Sequence, residues 1–334
     1  MCVPRQFKCE NDKLILDRIG IERHVKYKTL EGYYNAVSLF VEYTKRSLTD
    51  SLELYEKEED ELVWKRRTIK KELLGFRTFL QESYLENTAK VYMQRLLAVL
   101  RHLDLELMPL PGVSTKNTNS LPPITHEDLL TREELVKALA LCNPVMRAYL
   151  CFAVSSGCAR AEALSLTIED YLIANGFTIE DISGFDDLKI RYIIGLVDDS
   201  CIPCFRLKRI KTNKHYFTFC SPQANKYIKQ ALLTAKRELT LESNLFELNN
   251  YYIGKYCTEI NDKLNLGSAR KYMRFRSHMF RKYHASTLYN AGMHMEDVDT
   301  LQGRSKDSVH SSYFMENPEK LKKKYEDFVE CLEI

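Results

Sequence analysis

Through the first hundred residues apolar positions recur three or four apart, the period of a helix with one buried face. A helix is expected after Thr29, with Tyr33, Val37, Phe40 and Val41 on its repeat. A second is expected from about Val63 to Gln81, with Leu73, Leu74, Phe76, Phe79 and Leu80 as its apolar face. A third begins near Asn87 or Thr88, both suitable N-cap residues, and continues through Val91, Leu96, Leu97, Val99 and Leu100. The acidic stretch Glu53–Glu61 reads as exposed surface. Pro109, Pro111, Gly112, Pro122 and Pro123 then break the pattern, because proline lacks a donor and disfavours helix before it. The expected division is a helical domain over 1–107, a linker over 108–123 and a second domain over 124–334.

The second domain opens with a capping box, Thr131-Arg-Glu-Glu134. Helices are expected at 131–141 and 144–155, and residues 189–194 read as extended. Residues 203–219 read as a hairpin, with Phe205 and Leu207 on one arm, Tyr216, Phe217 and Phe219 on the other, and a tight turn at Thr212-Asn213. After Pro222 the pattern is helical again. The fold class is therefore mainly α (α+β), with a small antiparallel sheet in the second domain.

Composition narrows the class without naming it. Of 334 residues, 45% are hydrophobic and 28% charged, enough apolar surface to exclude disorder as the main state. No run of about 18 apolar residues is present, so no membrane helix is expected. The first residues lack the apolar core of an export signal, which makes the cytoplasm the expected compartment. Ten cysteines are scattered along the chain, and reduced thiols are expected. Cys201-x-x-Cys204 stands alone, short of the ligand count of a structural zinc site, and reads as two small residues entering a strand.

Net charge is +3, which on its face argues against a nucleic-acid partner. Counting by segment changes that: residues 126–200 carry −7 and residues 201–300 carry +9. A hundred residues with that excess can neutralise phosphates and release their counterions. The alternative is a set of solvated lysines on helix surfaces.

Candidate chemistry falls largely in the same block. His278 and Arg281 are three apart and share one helix face, two polar donors suited to an anion. Downstream comes Leu301-Gln302-Gly303-Arg304, then Tyr313. Upstream lies Ser156-Gly157-Cys158-Ala159-Arg160, and between them the basic hairpin Arg206-Leu-Lys208-Arg209-Ile-Lys211-Thr-Asn-Lys214. In this combination the sequence resembles the tyrosine recombinase (integrase) family. The family pattern is an arginine in a Ser/Thr-Gly turn, a hairpin lysine, H-x-x-R, a further motif residue and a tyrosine nucleophile. The matching positions are Arg160, Lys211, His278 with Arg281, Arg304, and Tyr313. The run L-Q-G-R, with Pro318, Leu321 and Tyr325 beyond it, is similar to archaeal integrases of viruses and mobile elements. Arg304 stands where most of the family has histidine, and a guanidinium cannot act as a base near neutral pH. The 51 residues from Arg160 to Lys211 are long for the family, so Lys208 and Lys214 remain rivals of Lys211.

The resemblance implies cleavage and rejoining of double-stranded DNA through a 3′-phosphotyrosyl link, for integration and excision of a mobile element or for Xer-like resolution, with no cofactor and no metal. It implies Tyr313 as nucleophile, Lys211 as general acid, His278 as proton acceptor or phosphate donor, and Arg160, Arg281 and Arg304 on the phosphate oxygens. A homotetramer on DNA is implied, with the C-terminal segment Pro318–Ile334 docking on a neighbouring subunit or on its own domain. Glu162 and His310 lie beside these motifs and read as positioning residues. Further DNA contacts are expected from Lys65, Arg66, Arg67 and Lys70 in the first domain, and from Lys208, Lys214, Arg270, Arg274 and Arg276 in the second. Two readings compete with a site-specific recombinase: a type IB topoisomerase-like nicking-closing enzyme, and a DNA-binding protein whose catalytic site has decayed.

Overall fold

The computed structural model describes residues 9–112, 124–304 and 317–334. The chain divides into two compact units, one ending at Pro123 and the other beginning at Ile124. Among the described residues, no helix is long and apolar enough to cross a membrane.

Among its described residues the first unit has five α-helices: α1 (Glu10–Glu22), α2 (Tyr27–Thr44), α3 (Leu48–Glu61), α4 (Thr68–Ser83) and α5 (Glu86–His102). Phe40, Tyr55, Leu73, Phe76, Leu80, Leu96 and Val99 fill its core. The sequence pattern did not anticipate α1, whose buried Asp12 accepts the backbone N–H groups of Leu48 (2.9 Å) and Thr49 (3.0 Å) and so caps α3 from outside. Nor does α5 begin at Asn87 or Thr88; Leu85 precedes its first turn without a side-chain cap. The acidic stretch is more than surface. It is the C-terminal part of α3, Tyr55 within it is fully buried, and Glu58 caps α4 by accepting from Thr68 N (2.5 Å). The expected linker also begins later than its first proline: Leu110 packs on this core, and Arg77 donates to the carbonyl of Pro111 at 2.6 Å.

The second unit is built around α7 (Pro144–Ser156), buried along almost its whole length. Asn143 caps its start, Pro144 occupies the first turn where no N–H is needed, and Gly157 ends it at φ +60°. Before it lies α6 (Arg132–Leu141), with the Thr131–Glu134 capping box in place. After it come α8 (Arg160–Ala163), α9 (Ile168–Ala174), α10 (Ile179–Ile182) and α11 (Asp187–Leu196). Residues 189–194 are thus helical, not extended. Asp186 caps this helix, and Ile190 and Ile194, four apart, are its buried face. The β-branched run imitates a strand, and burial against the helix that follows overrides it.

The hairpin pairs β1 (Cys204–Lys208) with β2 (His215–Phe219), Leu207 opposite Tyr216. Its connection is six residues, 209–214, rather than a two-residue turn. Arg209 N bonds Lys214 O, Asn213 N bonds Arg209 O, and Asn213 takes φ +56°. Then follow α12 (Pro222–Leu233), α13 (Asn250–Lys263), a short hairpin of β3 (Ser268–Ala269) and β4 (Tyr272–Met273), α14 (Ser277–Asn290), α15 (Met295–Leu301) and α16 (Pro318–Glu326). The C-terminal segment packs on its own unit. Leu321, Tyr325, Val329 and Leu332 are buried with Phe219, Leu288 and Leu301, and the Tyr325 hydroxyl donates to Ser155 O at 2.8 Å. A buried tyrosine needs such an acceptor, and here the central helix supplies it.

Candidate active site

The C-terminal end of α7, the β1–β2 hairpin, α14 and residues 302–304 meet at one place, held by hydrogen bonds rather than by apolar packing alone. Arg281, on α14, is 9% exposed and donates Nη1 to Gly157 O and Nη2 to Gln302 O, both at 2.6 Å. The Gln302 amide returns a bond to Arg281 O and another to Nδ1 of the buried His284, each 2.9 Å. Arg209 enters from the hairpin and donates Nη1 to the same Gln302 oxygen at 2.9 Å. Its Nε lies 3.9 Å from the Glu162 carboxylate. That carboxylate, 3% exposed, accepts from the Tyr216 hydroxyl at 2.7 Å and from Ala159 N at 3.0 Å.

The electrostatics are those of an anion site. Burial, and after it the Arg209 cation, lower the Arg281 pKa. Burial, then Lys282, Arg276, Arg281 and Arg304, push the His278 pKa below its ordinary value, which keeps that imidazole neutral at neutral pH. Lys282 is lowered by burial and by Arg270, Arg276 and Arg304. Lys282 and Arg304 line one cleft of about 380 Å³ with Ser286, Tyr289 and Asp299. Arg304 is half-buried and pairs with Asp299 at 3.0 Å. Nη1 of Arg276 is buried without a hydrogen-bond partner.

Of the residues expected from sequence, the structure brings His278, Arg281 and Arg304 together. Lys211 is exposed on the hairpin connection, as is Lys208 on the strand, and Lys214 is half-buried. Arg160 is exposed at the first position of α8. Tyr313 and His310 lie outside the described residues. Two of the expected DNA contacts are occupied elsewhere. Arg67, 6% exposed, bonds Leu62 O, Glu59 O and Glu106, which ties the α3–α4 connection down. Arg274 makes a paired bond with Glu134, at 2.8 and 3.0 Å, and reaches Leu129 O and Leu266 O. Removing either arginine from these acceptors for phosphate would break several part-buried hydrogen bonds at once. Arg66, Lys65 and Arg270 are exposed and Lys70 is half-buried.

Arg209, Tyr216, His284, Gln302 and Lys282 were not singled out by the sequence. No strand pattern marks Arg209: β1 ends at Lys208, and Arg209 is the first residue of the hairpin connection.

Gly303 gives the first test of this packing. It sits at φ +59°, and an added Cβ would lie 2.5 Å from the Tyr216 ring. That ring is buried and held through its hydroxyl, so it cannot yield. Gly303→Ala is expected to cost about 2–4 kcal/mol, from overpacking and left-handed backbone together. Denaturant unfolding that shows less than about 1 kcal/mol of loss would contradict this packing.

Residues 251–331 match the model of a family described as archaeal phage integrase. No curated protein sequence matches the chain. Among solved structures, the Tn1549 transposon integrase in complex with circular intermediate DNA is similar, with TM-score 0.56 and 11% identity over 95% of this chain and 98% of that one. A lambda integrase tetramer bound to a Holliday junction matches with TM-score 0.54 and 13% identity over 92% and 77%. XerH site-specific recombinase bound to its difH substrate matches with TM-score 0.52 and 17% identity over 96% and 90%. The chain has the tyrosine-recombinase fold, helical with two small antiparallel hairpins among the described residues. The match to the archaeal phage integrase model lies toward the C-terminal end of that fold, over residues 251–331.

Proposed function

We propose that the chain is a site-specific tyrosine recombinase that breaks and rejoins double-stranded DNA to integrate and excise a mobile element. The observation that carries this is the gathering of His278, Arg281 and Arg304, on a tyrosine-recombinase fold, where cations outnumber the nearby carboxylates Glu162 and Asp299. A scissile phosphate supplies the missing negative charge. Its transition state places more charge on the nonbridging oxygens, and guanidinium donors aimed at them stabilise it preferentially.

In this reading the Tyr313 hydroxyl attacks phosphorus and gives its proton to neutral His278. The 5′-oxygen leaves with a proton from Lys211, and the phosphate is held as a 3′-phosphotyrosine until a second 5′-hydroxyl reverses the step. The arginines that the sequence resemblance puts on phosphate are Arg160, Arg281 and Arg304. Backbone contacts along the duplex fall to Lys65, Arg66, Lys70, Lys208, Lys214, Arg270 and Arg276, which set affinity and its salt dependence. The site acts in the cytoplasm on viral, plasmid or chromosomal DNA. The lambda integrase neighbour is a tetramer on a junction, which supports a homotetramer on DNA here.

The test is a nicked suicide duplex carrying the termini of the element that encodes the chain. Wild type is expected to form a denaturation-resistant protein–DNA adduct, and Tyr313→Phe none. An adduct that survives Tyr313→Phe, or no adduct with wild type, would refute the assignment. Plasmid relaxation without intermolecular products would select the topoisomerase-like chemistry instead.

A further inference from the structure

We propose that Arg209, from the β1–β2 hairpin, supplies the second guanidinium on the scissile phosphate beside Arg281, the part that the sequence resemblance gives to Arg160. The inference rests on the recombinase reading of this site and names a further residue within it.

The geometry is the convergence of two arginines on one oxygen. Nη1 of Arg209 and Nη2 of Arg281 both donate to Gln302 O, at 2.9 and 2.6 Å. The two terminal nitrogens are therefore no further apart than those two distances combined. A guanidinium has five N–H donors in a fixed plane. The carbonyls take one from Arg209 and two from Arg281, so each keeps donors for an anion. Two cations this close repel, and Arg281 feels Arg209 as the largest influence after burial. The only carboxylate in contact range of Arg209 among the described residues is Glu162, at 3.9 Å, and it already serves the Tyr216 hydroxyl and Ala159 N. A pair of guanidiniums with one remote, shared carboxylate is held ready for a doubly bonded anion. A phosphodiester with two nonbridging oxygens fits it, one guanidinium to each.

Arg160 stands differently. It is exposed and opens a four-residue helix. Arg209 is 19% exposed at its side chain and anchored at one end, so its guanidinium is ordered before the anion arrives. Preorganised donors of this kind carry the electrostatic part of catalysis.

The experiment compares single-turnover cleavage of the nicked suicide duplex with cleavage of a matched duplex bearing a methylphosphonate at the scissile position. The methyl group removes the charge that the second guanidinium neutralises. Arg209→Ala is expected to cleave the phosphodiester about 10²–10³-fold more slowly than wild type. It should recover at least tenfold relative to wild type on the methylphosphonate. Both rates come from one preparation, so a partial loss of folding cancels in their ratio. Arg160→Ala is expected to lose less than Arg209→Ala and to show no such recovery. Arg209→Lys keeps the charge and one bond to Gln302 O, and is expected to fall between wild type and Arg209→Ala. Cleavage by Arg209→Ala within tenfold of wild type overturns the inference. So does an equal loss on both duplexes, which would make Arg209 a positioning residue, or rescue confined to Arg160→Ala. A wild-type chain that forms no adduct overturns the recombinase reading and this inference with it. A wild-type adduct beside an equally fast Arg209→Ala chain overturns this inference alone.

Discussion

Arg281→Lys is expected to slow strand cleavage by about 10²–10³-fold while leaving DNA affinity within a few-fold of wild type. The reason lies in what Arg281 spans. Its two terminal nitrogens bridge Gly157 O, at the end of the central helix, and Gln302 O, at the end of α15, each at 2.6 Å. An ammonium is a single point of charge on a flexible stem and reaches one of those carbonyls at a time. The other is left buried and unpaired, and the donors that would face phosphate lose their plane. Affinity holds because it is a sum over many backbone contacts, of which this is one. Single-turnover cleavage on the suicide duplex, with a filter-binding isotherm on intact duplex, checks both halves. A lysine variant that cleaves within tenfold of wild type would remove Arg281 from the chemistry. An equal fall in affinity and rate would make it a binding residue only.

The same residue shows what a sequence can and cannot display. H-x-x-R was visible because helical spacing is local: His278 and Arg281 share a face whatever surrounds them. The capping box at Thr131 and the hairpin arms were visible for the same reason. The partners of Arg281 were not. Gln302 reads as one letter in L-Q-G-R, yet its side chain and carbonyl tie together α14 and the hairpin, 21 and 93 residues earlier in the chain. Contacts at that separation leave no periodic trace. Arg209 is one of several cations in the hairpin and lies just past the paired strands, so only its contacts with Gln302 O and Glu162 show that it faces the site. The helix at Asp187–Leu196 was misread because Ile190, Ile193 and Ile194 favour strands by composition, while burial four residues apart decides for helix. The tail could dock on either of two surfaces by its amphipathic pattern alone; the Tyr325 bond to Ser155 fixes it on its own unit.

Acid should unfold the second unit earlier than its carboxylates require, and His284 is the reason. The ring is fully buried, and Nδ1 accepts a hydrogen bond from the Gln302 amide, which only a neutral imidazole can do. Burial first, then the Arg281 and Arg304 cations, push its pKa down to about 3. In the unfolded chain the same ring titrates near 6.5. Above that pH neither state binds the proton, and the contribution to stability is fully present. As pH falls below 6.5 the unfolded state takes up a proton that the folded state refuses. Stability is then lost at about 1.4 kcal/mol per pH unit until the folded pKa is reached. Between pH 6.5 and 5, above the carboxylate range, the expected loss is about 2 kcal/mol. His278, also lowered, adds in the same direction, with less weight because the residue is exposed. His284→Gln keeps an acceptor for the Gln302 amide and has no proton to gain. It should be less stable than wild type at pH 8 and show a shallower slope of unfolding free energy from pH 6.5 to 5. Denaturant melts at half-unit pH steps measure that slope. Parallel curves for wild type and variant would mean that His284 is protonated without cost, and that the buried junction of Arg281, Gln302 and His284 is open to water.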